Sequence, residues 1–150
     1  MMRALLAATL FATPVALHAQ KIDTPPIVTQ GLEVYMKAGG DSALNLWLGW
    51  WPATDSANVK ELHMFVSVLK NNFGTPKGYE VVATTALGTR IRYSYVILWF
   101  DEKPVYLTLR SYQTPTGEWH VLYVGGNTDV AKFWGADPNA LVNRVWSSTR

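Results

Sequence analysis

Between Pro25 and Phe73 the apolar positions recur every three or four residues, and from Gly78 to Gly126 they recur every second residue. That change of period divides the chain into a helical first half and a stranded second half. The first predicted helix has Thr24 as a cap, opens with Pro25 and Pro26, and closes at Gly39-Gly40. Val28, Leu32, Tyr35 and Met36 fall on one side of it, and Thr29, Gln30, Glu33 and Lys37 on the other. A second helix is expected from Asp41 or Ser42 as N-cap to Pro52, across "LNLWLGWWP". Leu44, Trp47, Leu48 and Trp51 share one face, and Ala43, Leu46 and Trp50 widen the apolar arc to roughly 200°. Such a helix is covered on most sides, as the centre of the fold or as one wall of a cavity. In the third helix Asn58 and Glu61 have capping-box spacing, and Val59, Leu62, Phe65, Val66, Leu69 and Phe73 form the stripe. Gly74 and Pro76 end it, while Met64 and Val68 lie off the stripe and offer a second surface for contact.

The alternating runs "YEVVATTAL", "TRIRYSYVILWF", "VYLTLRSYQ" and "WHVLYVGG" are separated by turns at Gly88, "DEKP" and "TPTGE". Consecutive strands with short turns predict an antiparallel meander. From Tyr95 to Phe100 both strand faces are apolar, so that end is either covered on both sides or lines a subunit contact, which leaves a homodimer through the sheet open. Asp137-Pro138 suits the start of a short last helix carrying Leu141, Val145 and Trp146. The expected fold is therefore α+β: three N-terminal helices packed on a curved four-stranded antiparallel meander, with a short C-terminal helix.

The first residues, "MMRALLAATLFATPVALHAQ", stand apart from this pattern. Arg3 supplies a positive n-region, Ala4 to Ala12 a short apolar run, and Pro14 a break before Ala19. This is the pattern of a cleavable secretory signal peptide, too short to span a bilayer. The expected organisation is a signal peptide over 1–19, with cleavage near Ala19, and one domain over 20–150 in the periplasm or secreted. Without Arg3, the mature chain carries 12 Lys and Arg against 11 Asp and Glu. So even a balance argues against a nucleic-acid surface or an anionic membrane surface, and no membrane insertion is expected after cleavage. The chain has no Cys. Thiol catalysis, disulfides and thiolate metal sites are thereby removed, and packing alone must hold the exported domain together.

Helices followed by a long antiparallel meander, with "NNFGTPKGY", "GTRIRYSYVILWF" and a terminal "TGEWHVLYVGG", resemble the NTF2-like (cystatin-like, SnoaL-like) small α+β domains. The likeness extends over roughly residues 25 to 127, and the chain departs from it after Gly126. It implies a sheet folded around one long helix, forming a cone with an apolar pocket. Members include isomerases, dehydratases, cyclases and binding domains, so the resemblance implies a pocket and not a chemistry. Enzymatic members use a His–Asp pair, or an Asp base with Tyr donors, inside the cone.

Only two histidines follow the signal segment. His63 reads as a boundary residue without a visible partner, and His120 lies on the last strand, opposite in face to Trp119, Val121 and Tyr123. Two histidines on different elements give no metal spacing, so neither a metal nor any other cofactor is expected. Asp101-Glu102 falls in a hairpin turn, and Asp41, Asp55 and Asp137 read as caps or turn residues. No serine has a hydrolase context and no glycine pair has phosphate-binding spacing. What remains is a set of aromatic candidates for ligand binding: Trp47, Trp50, Tyr93, Tyr95, Trp99 and His120. Arg90, Arg92 and Arg110, on neighbouring strands, are candidates for a partner or anion contact. No catalytic residue stands out. The sequence thus suggests an exported non-catalytic binding domain for a small apolar ligand or an envelope protein. The alternatives are a protein–protein inhibitor or immunity-type module, and a cofactor-free SnoaL-like isomerase or lyase.

Overall fold

A computed structural model of the chain describes residues 23–52 and 55–131. Three helices, α1 (Pro26–Ala38), α2 (Gly40–Leu48) and α3 (Ser56–Phe73), precede four strands, β1 (Gly78–Leu87), β2 (Ile91–Trp99), β3 (Pro104–Gln113) and β4 (Trp119–Asn127). The strands form one antiparallel sheet in the order β1-β2-β3-β4, which is a meander. The α+β class and the strand limits agree closely with the hydrophobic alternation. The terminal helix expected around Leu141 to Trp146 lies outside the described residues, as does the signal segment.

Helix starts were the less legible part. Thr24 does not cap α1; the N-cap is Pro25, without a side-chain bond. The Thr24 hydroxyl instead meets the Thr84 hydroxyl at 2.9 Å, tying the chain before α1 to β1. A single residue, Gly39, links α1 to α2, and its φ of 87° is a conformation that a side chain would strain. That tight link moves the start of α2 forward, so neither Asp41 nor Ser42 is its N-cap: Asp41 sits in the first turn, and the Ser42 hydroxyl donates back to the Ala38 carbonyl at 3.2 Å. At its other end α2 stops at Leu48, short of Pro52, and the Trp51 N–H donates to the Leu48 carbonyl at 2.8 Å in a closing turn. Trp50 and Trp51 therefore leave the helix in a turn. α3 likewise begins at Ser56, after Asp55, which puts Asn58 inside the first turn and removes the capping-box reading. Gly74 ends α3 as expected, its N–H donating to the Lys70 carbonyl at 2.9 Å.

All three helices lie against the same face of the sheet. Val28, Leu32 and Tyr35 of α1, and Ala43, Leu44, Trp47 and Leu48 of α2, are buried with Val66 and Leu69 of α3. Opposite them stand Val96, Leu98, Val105, Leu107, Leu109, Val121 and Val124, the inward members of β2, β3 and β4. Phe65 of α3 lies against the backbone of Gly126, and Phe73 tilts onto Phe100 with ring centroids 5.8 Å apart. Bulges interrupt the register between Val81 and Ala83 on β1, and opposite Arg110 and Ser111, where Leu122 is the extra residue of β4. Each bulge restores the inward–outward alternation past an inserted residue and bends its strand.

Candidate functional site

The three tryptophans of "LNLWLGWWP" separate into two structural roles. Trp47 is core: it is 1% exposed, and its indole N–H donates to the Ile27 carbonyl of α1 at 2.9 Å. Trp50 and Trp51, beyond the helix, both donate to one acceptor, the Val121 carbonyl of edge strand β4, at 3.0 and 2.7 Å. Trp50 keeps 43% of its surface exposed and tilts onto His120, with centroids 4.9 Å apart. His120 also lies 3.9 Å from Glu118. Trp47 thus fills the core, whereas Trp50 lies half-exposed at the edge of β4.

The other aromatic candidates come together on the face of the sheet that the helices leave uncovered. In the register, Tyr93 stands beside Arg110 and Arg110 beside Tyr123, while Ile97 stands beside Tyr106 and Ile91 beside Tyr112. With Tyr95 and Trp99 on the same side of β2, six aromatic side chains share this outer face, and His120 lies at its margin opposite Tyr112. Tyr106, Tyr112 and Tyr123 belong to the face but were not singled out from the sequence. Register marks them once the sheet order is known: Tyr106 stands beside Ile97, Tyr112 beside Ile91 and Tyr123 beside Arg110. Tyr123 was expected on the face opposite His120, but the extra residue Leu122 shifts the alternation and puts both on the outer face. Trp99 and Tyr123 are exposed at 41% and 43%, and the central rings are half-buried.

The arginines do not make one patch. Arg92 pairs with Ser111 and Tyr93 with Arg110, so Arg92 and Arg110 project from opposite faces. Arg92 turns back over the β1–β2 hairpin, donating to the carbonyls of Gly88, Thr89 and Ile91, with its guanidinium 5.7 Å from the Trp119 ring. Arg90 is exposed in the turn. Arg110 alone joins the aromatic face: it lies 5.9 Å from the Tyr123 ring, and its Nε is buried without a hydrogen-bond partner.

A separate cleft of about 270 Å³ opens where α1 meets α2 beside the end of α3, lined by Tyr35, Asp41, Val66 and Lys70 among others. Here sequence reading missed a pairing. His63 of α3 meets Asp41 of α2 at 2.7 Å between Nδ1 and Oδ1, with the two side chains 33% and 62% exposed. Asp41 looked like a cap and His63 looked solitary because they lie 22 residues apart on different helices. Solvent screens so open a pair, which limits it to a minor contribution to stability. Tyr35, 5% exposed, is the titratable group that the cleft perturbs: burial, and secondarily the Asp41 carboxylate, push its phenol up to about 12.

A raised phenol pKa means that the folded state holds the proton more tightly than the unfolded chain, whose tyrosine titrates near ~10. The stabilisation is complete below that value and is lost as the pH climbs from about 10 to about 12. Urea midpoints should therefore fall across this window in the parent protein, and fall less steeply in Tyr35→Phe. Parallel curves would remove Tyr35 as the cause.

Among the described residues, no three His, Asp or Glu side chains are grouped to hold a metal ion, and no helix is long and apolar enough to cross a membrane. No family model matches the chain, and searches of curated proteins and of solved structures find no match to it.

Proposed function

We propose that the mature chain is an exported, non-catalytic binding domain that holds a small apolar ligand on the outer face of its sheet. The observation that carries this reading is the aromatic face itself: six rings, with Arg110 among them, on the side of the sheet opposite the helices. Rings supply a large apolar area at little entropic cost and tolerate ligands of varied outline. Export rests on the signal-peptide pattern of residues 1–19.

Nile red, a neutral apolar fluorophore, is a suitable first probe. Its emission should shift to the blue and intensify with the mature protein, and Tyr95→Ala or Trp99→Ala should weaken binding about tenfold, the equivalent of ~1.4 kcal/mol. Met64→Ala, on the exposed side of α3, serves as the control and should bind as the parent does. A flat response to Nile red and to a panel of acyl chains, from protein with a cooperative unfolding transition, would reject the ligand.

A protein partner in the envelope is the second reading, favoured by the exposure of Trp99 and Tyr123 beside Arg110. Aromatic residues and arginine are the types that carry binding energy at protein interfaces. An inhibitor or immunity-type module would draw on the same surface. The isomerase or lyase reading asks for a base within reach of Tyr93 or Tyr95. The histidine–carboxylate pairs among the described residues are His63–Asp41 between helices and His120–Glu118 at the start of β4.

A further inference from the structure

We infer that the cleft between the end of α1, the start of α2 and the end of α3 binds a small organic carboxylate, held by the Tyr35 hydroxyl and the Lys37 and Lys70 ammonium groups. Tyr35 is only 5% exposed, yet its hydroxyl has no hydrogen-bond partner among the described residues. The sealed side-chain atoms left without a partner there are Arg110 Nε and Ser111 Oγ. The Tyr35 oxygen is not among them, so it opens on the cleft that its ring lines. That ring lies over Gly40: a Cβ there would stand 2.9 Å from Cε2 and 3.0 Å from Cζ, the carbon that carries the hydroxyl. Burial, and secondarily Asp41, push the phenol up to about 12, so near neutral pH it is a donor in need of an acceptor.

The charges around the cleft select the acceptor. Lys37 comes from the last turn of α1 and Lys70 from the last turn of α3, where the helix dipole favours cations. Both border the cleft, and the ion pairs of the described residues include neither. Asp41 is the one acid in the lining, and its Oδ1 is engaged by His63 at 2.7 Å. Two lysines against one aspartate leave a single positive charge, which a monocarboxylate balances and a dianion would exceed. Ammonium and hydroxyl donors to a carboxylate make the stronger class of hydrogen bond. The start of α2 adds donors, since it has no side-chain cap and the first N–H groups of a helix lack partners within it. The facing helix ends are partly closed: the Gly39 N–H donates to the Tyr35 carbonyl and the Gly74 N–H to the Lys70 carbonyl.

Met36, Val66 and Pro76 supply an apolar wall for the rest of the ligand. At about 270 Å³ the cleft lies just under the ~300–1,000 Å³ of pockets for drug-sized molecules, so its occupant is small, of the order of benzoate. The cleft belongs to the helical side of the sheet, and its occupancy is independent of what the outer face binds.

Benzoate is the probe, titrated into the isotope-labelled mature chain while backbone amide shifts are followed by NMR. Saturable changes should concentrate at Gly39, Gly40, Asp41, Gly74 and Thr75. Lys70→Met and Tyr35→Phe should each weaken binding about tenfold. Lys60→Met, exposed and about 15 Å from Lys70 along α3, should bind as the parent does. Tyr35→Phe removes a hydroxyl without a protein partner, so its urea midpoint at neutral pH should match the parent's, which separates lost binding from lost folding. Lys37→Met takes its place if that variant does not fold. The absence of saturable shifts at tens of millimolar benzoate would overturn the inference, as would shifts centred on the outer face. Equal affinity for benzamide would leave an apolar cleft without a carboxylate site. Equal affinity for inorganic phosphate would leave an unselective anion site, and either result would overturn the assignment.

Discussion

Gly31→Ala should lower the stability of the protein by about 2 kcal/mol, although alanine favours a helix over glycine by ~1 kcal/mol. The reason is the indole of Trp47. A Cβ placed on Gly31 would run into its Nε1, Cε2 and Cδ1 atoms. Neither side has room to give: Trp47 is held by its bond to Ile27 and sits among buried side chains. Overpacking of this kind costs about 1–3 kcal/mol, and pushing the indole aside also strands its N–H, at about 1 kcal/mol or more. Trp47→Ala alone should cost more, about 3–5 kcal/mol, as a large ring lost from the core. The two substitutions are strongly coupled. Once Trp47 is alanine, the space above Gly31 is empty and helix propensity governs, so Gly31→Ala should then be neutral or slightly stabilising. Urea unfolding of the four proteins measures that change of sign. A destabilisation that persists without the indole would refute the contact as the cause.

Removing both indole N–H groups that meet Val121, in the Trp50→Phe, Trp51→Phe double variant, should cost about 3 kcal/mol, whereas either single exchange costs about 0.5–1 kcal/mol. The inequality follows from the shared acceptor. With one tryptophan replaced, the other still donates to the carbonyl, and only part of a bond is lost. With both replaced, a part-buried carbonyl has no partner, and the turn after α2 loses its anchorage on β4. Phenylalanine keeps most of the apolar area, so the comparison isolates the N–H groups from ring burial. Single effects that sum to the double effect would contradict the shared bond.

The strands were legible because alternation is a local property that also decides burial. Val96 and Leu98 point in and Tyr95 and Ile97 point out, as the period of two requires, and the short turns leave little freedom in strand order. Helix limits were less legible, since each depended on something distant in sequence. Thr24 was drawn to Thr84, and the turn after α2 was drawn to Val121. Legibility of the site divided in the same way. Tyr93, Tyr95 and Trp99 share a face by spacing within one strand, and that part could be read. The separation of Arg92 from Arg110 depends on cross-strand register, and the meeting of Asp41 with His63 depends on how two helices pack. Neither leaves a trace in local spacing. Trp50, ambiguous on a helical wheel, stands outside the helix altogether, so its wheel position had no meaning.

The double donation to Val121 also bears on how copies of this chain can join. Strand-to-strand association needs free backbone groups along an edge, and a sheet normally offers two edges. Here two indole rings stand against β4, whereas β1 has no further strand beyond it among the described residues. The indoles take up the outward carbonyl of Val121, so strand addition along β4 would have to displace them or do without that group. Changing both residues would therefore free a backbone acceptor on this edge as well as lower the stability of each molecule.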